Sequence, residues 1–128
     1  MKADKASPRL IEQRLRNRLI EWLELVVESE SSAPAYGMNE LLNDWQDWNG
    51  GPISEVTFPR PTYTRAEVDT LPAVQSTWNL FCEATPDTIR DEAAAKLLPE
   101  WRNFVRAARD ALNAFSVRGK LSEDKEVP

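Results

Sequence analysis

The sequence predicts an all-α, single-domain bundle: four or five helices packed around a central first helix, with a Pro-rich extended connector between the second and third. Three observations carry this. Apolar residues recur at helical spacing through three long stretches, near 8–29, 65–84 and 99–118. Turn-rich breaks, SSAPAYG, NGGP and TPD, stand between the helical segments. At 128 residues, with 41% apolar, the chain is long enough for one core of ordinary size.

Each element has a local cause. Ser7 followed by Pro8 reads as a helix cap and first helical position. The run PRLIEQRLRNRLIEWLELVVESE then continues without Gly or a second Pro. On a helical wheel Ile11, Leu15, Leu19, Trp22 and Val26 fall within about 80°, and Ile20, Leu23 and Val27 widen that face. A second, short helix is expected near residues 39–48, with Asn39 as its cap and NGGP as its stop. In the stretch ISEVTFPRPTYT, prolines 59 and 61 disfavour a central strand, so it reads as a connector laid over the helices. Thr64 and Glu67 form a T-x-x-E capping box opening the third helix. Its apolar phase holds across Pro72 to about Ala84, which favours one kinked helix over two. TIRDEAAAKLL suits a short helix, and Pro99 opens the last long one, closed by Gly119. There Trp101, Phe104, Val105, Ala108, Leu112 and Phe115 share a sector of about 100°. The helical domain is therefore 1–118, and residues 119–128 are expected to be a polar, flexible tail.

Composition narrows the function. The chain carries a net charge of −5, which argues against bulk binding to nucleic acid or anionic membranes. No apolar run is long enough for a membrane span, and MKADKASPRL lacks an apolar signal region. Cys82 stands alone, so neither an intrachain disulfide nor a cysteine-based zinc site is expected. With no histidine, imidazole bases and ligands are excluded. The expectation is a cytoplasmic, non-enzymatic protein without cofactor.

One region is unusual. From 19 through 59 there are eight acidic residues, Glu21, Glu24, Glu28, Glu30, Glu40, Asp44, Asp47 and Glu55, and no Lys or Arg. Within NELLNDWQDWNGG, Leu41, Trp45 and Trp48 span about 60° of the wheel, and Glu40, Asp44 and Asp47 span about 60° roughly opposite. Helical spacing assigns the indoles to the core and leaves the carboxylates in water. A solvated surface balanced by basic residues elsewhere is one reading. The other is a docking face, because a patch of one sign speeds encounter with a basic partner. On that reading Glu40, Asp44, Asp47 and Glu55 supply the charge, and Tyr36 and Phe58 on the flanking connectors are aromatic anchors.

Among the basic residues, Arg18 lies about 20° from Ile11 on the wheel. Its stem is expected to pack and its guanidinium to meet a carboxylate of another helix, and Arg16 on the other edge is expected to behave similarly. Arg102, Arg106 and Arg109 form a stripe on the last helix. Without stacking aromatics or a glycine-rich loop it is a weak nucleic-acid signal. It could equally meet the acidic window of a second copy in a homo-oligomeric structural protein.

An enzymatic alternative rests on Glu21-x-x-Glu24 and Asp44-x-x-Asp47, four carboxylates of the type that holds Mg²⁺. All-α nucleotide pyrophosphohydrolases are similar in using paired E-x-x-E and E-x-x-D motifs. The chain departs from that pattern: Ile20 replaces the preceding glutamate, and the second pair begins with Asp.

RLRNRLIEWLEL, residues 14–25, resembles a motif of small uncharacterised bacterial proteins, R-[IL]-R-N-R-[IL]-I-E-[YW]-L-E-L. The likeness continues through NDWQDW, FCEATPD and SVRGKLSEDKEV. It carries over no catalytic residues. In general character the chain is also similar to immunity proteins and antitoxins. The reading is an acidic binding protein that occludes a basic protein partner, such as a toxin domain.

Overall fold

The computed structural model describes residues 7–28, 37–48, 53 and 58–127, without the side chains of Asp47 and Trp48. Among them are five helices and no strand: α1 Pro8–Glu28, α2 Met38–Trp48, α3 Arg65–Glu83, α4 Glu92–Lys96 and α5 Pro99–Ser116. The chain is an all-α single-domain bundle. α1 lies between α2 and α5, and α5 also packs on α3 and α4. No helix among the described residues is long and apolar enough to cross a membrane.

The local signals act as their chemistry dictates. The Thr64 side chain accepts from Glu67 N–H while the Glu67 carboxylate accepts from Thr64 N–H, closing the capping box. α3 runs through Pro72 as one helix, with the pyrrolidine on the exposed face, where water can satisfy the carbonyl that Pro72 leaves without a donor. α4 is shorter than expected, because Asp91 caps it by accepting from Ala94 N–H at 3.0 Å. Gly119, at φ +70°, ends the chain's last helical turn with its N–H donating to Phe115 O.

The core is built around a run of rings. Trp45 stacks on Trp22 at 5.2 Å, Trp22 meets Phe104 edge-on at 5.9 Å, and Phe104, Trp101 and Phe81 continue the contact. Three indole N–H groups tie the helices together. Trp22 donates to Leu41 O at 2.8 Å, Trp78 to Leu42 O at 3.0 Å, and Trp45 to the Gln75 side chain at 2.8 Å. α2 is therefore held from α1 and from α3 at neighbouring carbonyls.

The first half of α1 departs from its apolar pattern. Ile11 and Leu15 are 47% and 52% exposed, whereas Gln13, Arg16 and Asn17 are buried. α2 is the cause: its 11 residues span about half the length of α1's 21, and it meets α1 at Trp22. Beyond its reach no helix among the described residues covers the same apolar face, and α1 turns its opposite, polar face to the protein.

That polar face decides the outcome for two arginines, correcting Arg18 and bearing out Arg16 as the one that packs and meets a carboxylate of another helix. Arg18, expected to pack against another helix, is about half exposed and pairs with Glu21 on its own helix and with Glu123. Arg16 is the arginine that is fully buried. Its guanidinium holds the Glu67 carboxylate at 2.7 Å, donates to Gly119 O and Phe115 O, and lies 5.1 Å above the Phe115 ring. Arg118 grips the same carboxylate at 3.0 Å. Burial acts to raise the Glu67 carboxyl, but the hydrogen bonds from Arg16, Arg118 and Thr64 outweigh it and hold the group below its usual range.

Nor is the stretch from 119 a loose tail. The Asn17 amide pairs with Leu121 like a strand neighbour, donating to its carbonyl at 2.8 Å and accepting from its N–H at 2.9 Å. The Gln13 amide donates to Ser122 O and Lys125 O and accepts from Val127 N–H. Arg9 donates to Val127 O and Arg14 to Glu123 O. The tail is thus docked on α1 through its main chain and Glu123, while Asp124, Lys125 and Glu126 remain exposed.

Candidate functional site

α2 carries the central part of the acidic window, and its placement follows from its two faces. Met38, Leu41, Leu42 and Trp45 are buried. Glu40 is exposed and Asp44 is half-buried. A sequestered Trp45 and an outward Glu40 are what the wheel requires. The side chain of Asp47, and all of Tyr36 and Glu55, lie outside the described residues. Phe58 does not serve as an exposed anchor. It is buried, edge-on to Tyr63 at 5.2 Å, because the connector folds it into the core beside α5.

Two elements fix α2 against the α3–α4 segment. Asn39, expected to cap α2, lies inside its first turn, and its amide clamps the main chain of Ile89 in both directions, at 3.0 and 2.9 Å. Glu92, at the start of α4, accepts from Met38 N–H at 3.1 Å and so provides the cap. A Cβ placed on Gly37 would come 2.6 Å from the Glu40 carboxylate and 3.5 Å from that of Glu92. The two acids therefore flank Gly37, and the absent side chain leaves them room.

Next to this pair is a groove of about 660 Å³. Ala84, Ile89, Ala94, Ala95 and Leu98 form its apolar wall, and Asp87, Arg90 and Asp91 lie at its polar edge. The Thr85–Asp87 segment separates it from a smaller recess of about 200 Å³ against α2, lined among others by Asn39, Asn43, Trp78 and Cys82. Burial pushes the Cys82 thiol up, so it is a poor nucleophile there. The sequence reading passed over this groove. Its signal is the small-residue run EAAAK beside the TPD bend, where alanines leave space that larger side chains would fill.

The rest of the acidic window is dispersed. Glu21 is neutralised within the chain: hydrogen bonds from Lys120, 3.0 Å away, and from Arg18 hold its carboxyl below the usual range. This corrects its place in the four-carboxylate reading with Glu24, Asp44 and Asp47. Glu24 is exposed. Among the described residues no three His, Cys, Asp or Glu side chains gather in a cation-binding arrangement. Arg102, Arg106 and Arg109 are all exposed on α5.

The segments RLRNRLIEWLEL and SVRGKLSEDKEV are partly architectural. Arg14, Arg16, Asn17, Arg18 and Glu21 of RLRNRLIEWLEL meet Arg118 to Glu123 of SVRGKLSEDKEV directly or through Glu67. No protein-family model, no curated protein and no solved structure matches the chain.

Proposed function

We propose that the chain is a non-enzymatic acidic binding protein that occludes a basic protein partner, in the manner of an immunity protein or antitoxin covering a toxin domain. The observation that carries the reading is Glu40, exposed and flanking Gly37 with Glu92, on a helix whose Trp45 is sequestered. Glu40 on α2 and Glu92 on α4, two carboxylates on elements that hydrogen bonds fix to each other, form a preorganised attractor for cations. α2 contains no Lys or Arg to offset them.

The test is affinity capture from the source cells followed by kinetics on the recovered partner. A partner rich in Lys and Arg is expected. Glu40→Lys should leave the circular dichroism unchanged and slow association, with the difference shrinking as salt rises. Captured proteins without basic surface, or an association rate indifferent to the charge reversal, would overturn the reading.

A further inference from the structure

We propose that the groove between the α3–α4 connection and α4 seats an apolar side chain of a basic peptide segment, whose cations are held by the carboxylates along one edge. The proposal deepens the basic-partner reading and rests on it. It commits to one occupant: an extended or helical stretch of the partner in which Lys or Arg alternates with leucine-sized side chains.

Three observations converge on this occupant. The first is size and character. At about 660 Å³ the groove falls within the ~300–1,000 Å³ usual for ligand pockets, and its wall is aliphatic. The second is charge complementarity. Asp87 and Asp91 line the groove, and Glu92, next to Asp91, reaches Gly37 and so stands beside Glu40. Asp91 and Glu92 each spend one oxygen on a helix cap, and a carboxylate has acceptor sites to spare. A cation arriving at this edge meets the carboxylates of Asp87 and Asp91, and Arg90 is the one base lining the groove. The third is rigidity. Ile89 is clamped at both its N–H and its C=O by Asn39, Thr85 donates to Phe81 O at 2.9 Å, and Ala84 N–H donates to Leu80 O. A wall fixed in this way costs little further ordering when an apolar side chain enters.

An acidic or neutral apolar ligand fits worse. It would bring negative charge, or none, to an edge where carboxylates outnumber the single arginine. Arg90 itself opposes a cation, so its removal should strengthen binding.

The test is an amide-resolved NMR titration of the full chain with three short amidated peptides: alternating Lys and Leu, alternating Lys and Ser, and alternating Glu and Leu. The Lys–Leu peptide is expected to shift amides across 84–98 and to bind about tenfold or more tighter than the Lys–Ser peptide, the factor that burying one leucine corresponds to. Ala94→Lys, at an exposed position in the groove wall, should abolish that preference while leaving the fold intact, and Arg90→Ala should increase affinity. If both lysine peptides bind equally and move only amides near Glu40, the groove proposal fails and the basic-partner reading survives. If neither lysine peptide binds, both fail. Equal binding of the Glu–Leu peptide at 84–98 overturns the charge selection. Shifts of the same amides on dilution without peptide would assign the groove to a second copy and overturn it too.

Discussion

From Leu19 to Val26, α1 buries Leu19, Ile20, Trp22, Leu23 and Val26 against rings from α2 and α5. From Arg9 to Asn17 the same helix buries Gln13, Arg16 and Asn17, and leaves Ile11 and Leu15 half exposed. The first region gains stability by removing apolar area from water, a force without direction. The second closes by directed hydrogen bonds to Glu67 and to the main chain of 119–127, which satisfy the buried side chains of Gln13, Arg16 and Asn17. The apolar half should accept changes of shape that keep volume, while the polar half should fail when any one member is withdrawn.

The two largest expected effects set the halves against each other. Trp22→Ala should cost about 3–5 kcal/mol in urea unfolding, since it removes a fully buried ring and leaves a cavity. Arg16→Met should cost about 3–5 kcal/mol by leaving the Glu67 charge short of its buried partner. The halves separate with pH. The folded-state carboxyl of Glu67 lies below the ordinary value of 4.5. Its contribution is therefore complete above that value and is lost as pH falls through the depressed one. The Arg16→Met deficit should shrink in acid while the Trp22→Ala deficit persists. Parallel deficits at every pH would mean that the buried ion pair contributes only packing.

Next in size is Asn17→Ala, which strands the Leu121 N–H and C=O. A loss of about 1–3 kcal/mol is expected, with faster hydrogen exchange at Leu121 and Val127. Slow exchange at those amides after the change would show that the tail holds without its clamp. A smaller effect is expected from Arg18→Ala, whose pairs with Glu21 and Glu123 are solvent-exposed: a loss below that of Asn17→Ala, and less again in high salt. The smallest is Leu15→Ser, expected within about 0.5 kcal/mol of the parent because no helix among the described residues covers its face. Ile20→Ala, five residues further along in the buried region, should cost about 2–5 kcal/mol. Equal losses at 15 and 20 would show that the outer face of α1 is covered after all.

Much of the fold was legible in advance. The starts of α1, α3 and α5 follow from Ser7–Pro8, Thr64–Glu67 and Pro99, since caps and breakers act over a few residues, while NGGP lies outside the described residues. The inward placement of Trp45 followed from the wheel. Glu67 was legible as a cap and illegible as the partner of Arg16, since that contact joins positions 51 apart. Of the candidate site, Glu40 was legible as outward. The clamp of Asn39 on Ile89, the approach of Glu92 to Gly37 and the groove beside them depend on how separate segments meet.

The sequence by itself determined helix content, helix ends and which residues are apolar, because these depend on neighbours three or four positions away. Tertiary structure alone decided which face of α1 is buried at each point along its length. Periodicity marks a face as apolar, but only the extent of α2 and the path of the tail determine what lies against it. That is why two leucine-sized side chains are left in water while an arginine, a glutamine and an asparagine are drawn inside.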